Sequence, residues 1–202
     1  MNNKTFKTIL IFLFSLVVIT ILINLNIGFI KLGLADFIDG NAQNSQIAEL
    51  RMNRVLAMFL AGVSIPTSGF LLQEYFQNPL AGPSVLGITS VASLSVAFYI
   101  FFAQNLVLPE VLQNSFLSIS AIGGSLILML ILLAFSNRFQ DKSFLIIFGF
   151  LVSALAGAIV SILQFYAENQ SLKNYILWSF GANNQVSTNQ VWVLTAIVLS
   201  GI

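Results

Sequence analysis

Two arginines in this sequence are candidates for binding a charged partner. Arg51 and Arg54 are three residues apart, so on a helix both would project from the same face. Their planar guanidinium groups could grip carboxylates of an external partner through paired hydrogen bonds. Alternatively, they could extend to lipid headgroups, as arginines next to a membrane often do. Their spacing is compatible with both roles.

A second candidate is a short segment with two prolines. It reads Asn78-Pro79-Leu80-Ala81-Gly82-Pro83, and each proline biases the residue before it away from the helical conformation. Leu80 could plug a narrow pore while Asn78 caps the chain or forms a hydrogen bond. Alternatively, the segment is a rigid turn that ends one helix and starts the next.

A third candidate is a row of small residues. Gly149, Ser153, Gly157 and Ser161 recur every four residues and would form one stripe on a helix. Such a stripe lets a neighbouring backbone approach closely, and it could equally leave room for a translocation pathway.

Several kinds of chemistry lack the residues they need. The chain has no cysteine and no histidine, so thiolate sites and the commonest general base are missing. No segment matches the phosphate-binding pattern G-x-x-x-x-G-K-[ST], and no Asp or Glu falls near the centre of a predicted span. A proton- or sodium-coupled carrier usually needs such an intramembrane ionisable group. We therefore predict a protein that is not an enzyme and has no ATPase site.

The composition indicates a membrane protein. Of the 202 residues, 57% are hydrophobic and 7% are charged, whereas about a quarter of a soluble chain is charged. A formal net charge of +1 provides no basic patch for nucleic acid. This composition excludes a secreted globule, a disordered tail and a nucleic-acid binder.

Hydropathy predicts an all-α, polytopic transmembrane helical bundle with about five complete spans plus the start of a sixth, because a span needs about 20 apolar residues. The spans are predicted near residues 6–27, 53–73, 87–103, 116–135 and 144–165, with the incomplete sixth at 191–202. The polar stretches 28–50 and 168–190 are predicted to be loops. The first span, with Lys4 before it and Lys7 at its start, is expected to have its N-terminus inside, which places both arginines outside.

Three ordered motifs resemble the FecCD family, the permease subunits of ABC importers for iron–siderophore complexes, haem and vitamin B12. The family pattern R-x-P-R, then S-G-x-x-x-Q, then N-P-L-A-x-P-x-x-L-G is similar to residues 51–87. Leu145 to Gly149 resembles its L-L-L-A-G, and Trp178 to Gly181 resembles its W-x-x-G. The resemblance covers most of the chain.

Three departures from the family pattern matter. Asn53 replaces the proline of R-x-P-R, and Val91 stands where the family usually has a glycine, so the third helix is expected to pack less tightly. Family members have about ten helices, and their cytoplasmic coupling helices come later in the chain. We therefore expect residues 1–202 to be the N-terminal portion of a transmembrane permease domain.

The resemblance implies roles for the candidates. Arg51 and Arg54 would dock an extracytoplasmic substrate-binding protein, and Asn78, Leu80 and Ser143 would belong to the cytoplasmic gate. The stripe of small residues would line the pathway or pack helices. Further implied partners are a second permease copy, as a homodimer or paralogous pair, and an ATP-binding subunit that carries ATP and Mg²⁺, with no cofactor in this chain.

The function implied is import of a metal chelate or cobalamin across the bacterial cytoplasmic (inner) membrane. The alternative from another class is a non-transporting membrane scaffold derived from a truncated permease. A proton-coupled carrier is a third interpretation, and the lack of an intramembrane carboxylate argues against it.

Overall fold

The structure, a computed structural model, describes residues 3–38, 44–103, 110–136, 142–181 and 186–201. Within these ranges the regular structure is helical, without strands. The helices are α1 Asn3–Asn26, α2 Leu34–Ile38, α3 Ser45–Phe76, α4 Ile88–Phe98, α5 Glu110–Ser136, α6 Lys142–Tyr166, α7 Asn169–Ser179 and α8 Thr188–Gly201, with a π-helical turn at Tyr99–Ala103 after α4.

Four segments in the described part of the chain are long and apolar enough to cross a membrane. They are Lys4–Asn26, Ser45–Phe76, Phe116–Ser136 and Ser143–Tyr166. The third predicted span is a shorter apolar helix, Ile88–Phe102. Helices suit a bilayer because they satisfy their own backbone hydrogen bonds. The prediction of an all-α, polytopic membrane protein is confirmed.

Two stretches expected to be loops contain helices. α3 begins at Ser45, so the polar residues before Arg51 are already helical. Residues 168–190 contain α7 and the first residues of α8. Hydropathy predicts only the apolar helical segments that could lie in lipid. The polar helical residues before Arg51 and within 168–190 lie outside such segments.

The chain divides into two compact units, Met1–Ser64 with Asn183–Ile202, and Ile65–Ala182. In the first unit, hydrogen bonds join the end of α1 to α3, and others join α3 to the start of α8. The side chains of α1 are largely exposed in this chain, as expected of a helix that faces lipid or another subunit.

In the second unit, α4 packs against α5 and α6. One buried cluster links the end of α3 and the following turn with α5 and α6: Phe76, Ala81, Leu86, Leu128, Leu132 and Leu145. A Cβ atom on Gly124 of α5 would lie 2.9 Å from the carbonyl oxygen of Val91 in α4. The backbones of α4 and α5 therefore approach closely at Val91, and the looser packing expected from its side chain stays a prediction.

A second cluster in this unit fastens α7. Tyr175 is 5% exposed and packs with Val96, Ala97 and Ile100 at the end of α4 and the π-helical turn. Its ring centroid lies 5.7 Å from that of Phe101 and 6.0 Å from that of Trp178. Burial of this aromatic side chain explains why a polar segment forms a helix here.

Candidate docking and gate sites

The turn at the candidate gate begins with a hydrogen-bonded helix end. Asn78 N–H donates to the Gln73 carbonyl at 3.1 Å, and Gln77 N–H donates to the Glu74 carbonyl at 3.3 Å. This is the Schellman pattern, which normally places glycine at the left-handed position. Here Gln77 adopts that conformation, with φ 50. The end of α3 therefore carries the backbone strain of a non-glycine residue.

Asn78 organises the next residues of the turn. Its side-chain oxygen accepts a 2.9 Å hydrogen bond from the N–H of Leu80, an Asx turn. The Ala81 N–H donates to the Asn78 carbonyl at 3.0 Å. Leu80 itself is 73% exposed. The rigid turn that the two prolines predict is present, and it displays an apolar side chain.

The turn packs against the first half of α6. Gly87 precedes α4 with φ 78, and a Cβ atom added there would lie 2.7 Å from the Gly149 carbonyl oxygen. Ala81 and Leu145, each 1% exposed, belong to the same buried cluster. Ser143 lies two residues before Leu145 and is exposed. The three predicted gate residues thus lie on two elements that share one core.

The stripe of small residues on α6 divides into two halves. A Cβ atom on Gly149 would lie 2.7 Å from the Leu86 backbone, and Ser153 shares a 2.5 Å hydrogen bond with Ser90 of α4. A Cβ atom on Gly157 would meet nothing within 4 Å, and Ser161 is exposed. The first half packs helices, and the second half faces open space in this chain.

The two arginines bind the end of α1. Arg51 is 8% exposed and donates from Nη1 to the Leu25 carbonyl at 3.0 Å and from Nη2 to the Ile30 carbonyl at 2.7 Å. Arg54 donates from Nη2 to the Asn24 side-chain oxygen at 2.9 Å. Neither headgroup contact nor partner docking is tested by these bonds, so both roles stay predictions.

The FecCD transport family matches residues 16–202. The chain belongs to this family. It is 28% identical over 160 residues to the vitamin B12 import system permease protein BtuC of Serratia proteamaculans, covering 79% of this chain and 46% of that protein. It is 29% identical over 150 residues to BtuC of Escherichia coli O6:H1, covering 74% and 44%. This FecCD chain spans about half the length of these relatives.

A solved structure is also similar to this family member. It shows an inward-facing conformation of a transporter described as a putative metal-chelate type ABC transporter, with a TM-score of 0.74 and 28% identity, covering 96% of this chain and 59% of the other. Together with the four apolar helices, these relatives identify a multi-pass membrane protein. The resemblance read from the three motifs is confirmed.

The asparagine in this FecCD chain's R-x-N-R segment has a structural explanation. Asn53 is 5% exposed, and its Nδ2 donates to Thr188 Oγ1 at 2.9 Å. Thr188, the first residue of α8, donates in turn to Glu49. A carboxylate near a helix N-terminus also complements the helix dipole. Asn53 therefore joins α3 to α8, which a proline side chain could not do.

Residues of α7 were missed as candidates, although the W-x-x-G motif of the family ends there. Gly181 has φ 69, and its N–H donates to the Trp178 carbonyl at 2.9 Å. The glycine is thus the left-handed residue that ends α7. The aromatic pair Tyr175 and Trp178, three residues apart in a polar stretch, is the signal that could have predicted this helix.

The acidic side chains do not form a metal-binding cluster in the described part of the chain. Among the described residues, none of the Asp and Glu side chains form a group of three that could hold a metal ion. That ATP and Mg²⁺ bind to a separate subunit stays a prediction.

Proposed function

We propose that this protein works as part of the membrane-spanning permease of an ABC importer for a metal chelate or corrinoid, of the iron–siderophore, haem or cobalamin class. A separate ATPase subunit on the inside would power transport, and an extracytoplasmic binding protein would deliver the substrate. Membership of the FecCD family supports the importer class. The chain itself would position groups and form no bond with its cargo.

The observation that carries the proposal is the turn from Gln77 to Gly87. Its backbone is held by the Asx hydrogen bond of Asn78, while Leu80 projects with 73% of its surface exposed. A rigid backbone that presents an apolar side chain suits a constriction, because an apolar gate excludes water and hydrated cargo. In the proposed permease, Leu80 closes the inner end of the pathway, with Asn78 positioning it and Ser143 on the adjacent element.

The divided stripe on α6 indicates which part of this helix would line the proposed pathway. Gly149 is buried against the Leu86 backbone, which leaves no volume there for a cargo. The open face at Gly157 and Ser161 is where a second permease copy or the cargo would lie. We propose that this half of α6 lines the interface between two copies.

Uptake measurements test the proposal. Cells that lack this chain, and cells in which it is restored, are offered labelled cobalamin, haem and ferric siderophores in parallel. We expect uptake of one cargo class that depends on this chain, stops when ATP is depleted and continues when the proton gradient alone is collapsed. Uptake that follows the proton gradient would refute the ABC mechanism, and restored cells without uptake of any cargo would favour the scaffold.

A gate variant tests the role of the turn separately. Leu80→Ala should increase passive, ATP-independent leak of cargo from loaded vesicles that contain the assembled transporter. Leu71→Ala is the matched control, because Leu71 lies in α3 with 56% of its surface exposed. Equal leak in both variants would contradict the gate assignment and leave the importer class standing.

A further inference from the structure

The segment that follows α1, residues 27–38, exposes large apolar side chains. Ile27 is 69% exposed, Phe29 is fully exposed and Ile38 is 84% exposed. Lys31 lies between them in the sequence and is exposed as well. Large apolar side chains that are exposed together in one short segment mark a surface that contacts another molecule or a membrane.

Hydrogen bonds within the segment fold it locally. The Gly33 N–H donates to the Asp36 side chain at 2.7 Å, and the Asp36 N–H donates to the Gly33 carbonyl at 3.1 Å. The carboxylate thus reaches back to the residue before α2, as the acidic residue of a capping box does. Asp36 is only partly exposed, so the fully exposed charge within residues 27–38 is the ammonium of Lys31.

The length of α1 puts this segment at the edge of the bilayer. The membrane span Lys4–Asn26 has 23 residues, which cover about 35 Å at a rise of about 1.5 Å per residue. The hydrocarbon core of a bilayer is about 30 Å thick. With Lys4 at one edge of the core, Asn26 reaches the other edge, and the segment that follows begins among the lipid headgroups.

The polar side chains of α1 suit a helix surrounded by lipid. Thr8, Ser15 and Thr20 each donate a hydrogen bond to a carbonyl group of the same helix. None of the residues in the most apolar window of α1 is buried. A hydroxyl that is satisfied within its own helix can face hydrocarbon without a protein partner. The exposed surface of α1 therefore suits direct contact with lipid.

We propose that residues 27–38 form an interfacial anchor that lies among the lipid headgroups. The side chains of Phe29 and Ile38 enter the boundary with the acyl chains, and the ammonium of Lys31 binds lipid phosphates. The anchor requires only that α1 spans the membrane, so it is independent of the proposed transport function.

Continuity and charge favour lipid over a protein partner at this surface. The Ile27 N–H donates to the Ile23 carbonyl at 2.9 Å, so the apolar surface continues from the last turn of α1 into the segment. Aromatic side chains are enriched at membrane interfaces, and a lysine there can extend its ammonium to the headgroups. Lysine is depleted at protein–protein interfaces. The combination of Phe29 with Lys31 therefore fits a lipid surface.

Spin-label depth measurements test the anchor. The chain has no cysteine, so a single nitroxide can be attached after Phe29→Cys or Ile38→Cys. The purified protein is placed in vesicles of phosphatidylcholine and phosphatidylglycerol. Collision rates with oxygen, which concentrates among acyl chains, and with a water-soluble nickel chelate then give the depth of each label. We expect both labels about 5–10 Å below the phosphates, the depth of an interfacial apolar face.

Two reference positions calibrate the measurement. Phe12 of α1 is 63% exposed and precedes Asn26 by about 21 Å along the helix axis, so a label after Phe12→Cys should be far deeper. Lys173 is exposed on the polar helix α7, and a label after Lys173→Cys should collide freely with the nickel chelate. Nickel accessibility at residue 29 equal to that at residue 173 would place the segment in water and refute the anchor. Low collision rates with both reagents would show that polypeptide covers the segment, and they would refute it as well.

Charge reversal tests the role of Lys31. With the label at residue 29, Lys31→Glu should move the nitroxide toward water by about 5 Å, since a carboxylate is repelled by phosphates and the interfacial burial to be lost is about 5–10 Å. Lys31→Arg keeps the cation and should keep the depth, and Lys173→Glu is the matched control elsewhere in the chain. An unchanged depth in Lys31→Glu would overturn the anchor in the form proposed, and the importer function would stand.

Discussion

Replacing Gly149 by alanine should destabilise the protein, whereas the same replacement at Gly157 should not. Both glycines lie in α6 and belong to the same stripe. At Gly149 the added methyl group would meet the Cα and carbonyl oxygen of Leu86, each at 2.7 Å, and the carbonyl carbon at 2.8 Å. At Gly157 it would meet nothing within 4 Å.

The magnitude follows from which atoms must move. An ordinary contact begins at 3.4 Å, so α6 and the backbone of Leu86 would have to separate by roughly 0.7 Å or more, since no side chain can rotate away. Overpacking of this kind costs about 1–3 kcal/mol, while alanine in a helix gains up to about 1 kcal/mol over glycine. We expect Gly149→Ala to lose about 1–2 kcal/mol and Gly157→Ala to be neutral or slightly more stable.

Thermal unfolding of the two variants in detergent is the assay. A difference of about 2 kcal/mol corresponds to roughly 4–8 °C in melting temperature for a chain of this size. The Ser90–Ser153 hydrogen bond one turn further along α6 should weaken in Gly149→Ala alone, so Ser153→Ala should cost less in that background than in the wild type. Equal melting temperatures for the two glycine variants would show that the first half of the stripe does not pack, and the reasoning would be wrong.

Three further predictions concern polar groups and the turn. Asn53→Ala removes the buried hydrogen bond to Thr188 and should cost about 1–2 kcal/mol in chemical unfolding; no loss would contradict a link between α3 and α8. Burial raises the pKa of the Tyr175 hydroxyl above its ordinary value of 10.0. The stabilisation that the buried neutral hydroxyl contributes is therefore complete below about pH 10 and is lost as the pH rises through the higher folded-state pKa. Tyr175→Phe should lessen alkaline unfolding, which melting curves between about pH 8 and pH 12 would measure. Asn78→Ala should cost about 1 kcal/mol through loss of the Asx bond to Leu80, while Leu80→Ala should change the melting temperature little because that side chain is exposed; the reverse order would refute the assignment of turn and gate roles.

Hydropathy and the positions of the prolines were sufficient to predict several membrane-spanning helices and the turn after α3. Long apolar runs predict helices wherever lipid must be crossed, and α1, α5 and α6 lie where these runs do. The prolines at 79 and 83 predict a turn because they restrict backbone torsion locally. Such features depend on neighbours in sequence, so one sequence suffices to find them.

Features that depend on distant residues were not predictable in the same way. α7 has a polar sequence and forms around Tyr175, whose cavity comes from α4 and the π-helical turn. The bonds of Arg51 go to carbonyl groups more than twenty positions earlier in the chain, and every residue has a carbonyl group. Nothing in the residue types of Leu25 and Ile30 marks their carbonyl groups as hydrogen-bond acceptors for Arg51. The spacing of the two arginines therefore predicted a docking pair and did not predict their hydrogen bonds to the end of α1.

The aromatic cluster around α7 gives the protein an optical reporter. The sequence has two tryptophans: Trp178 is packed beside Tyr175, and Trp192 is 69% exposed. With Trp192→Phe, the remaining indole emission would come from α7 alone, and its wavelength would shift to the red whenever that helix separates from the end of α4. Movement of this helix can therefore be followed in real time, in a bilayer and without any attached dye.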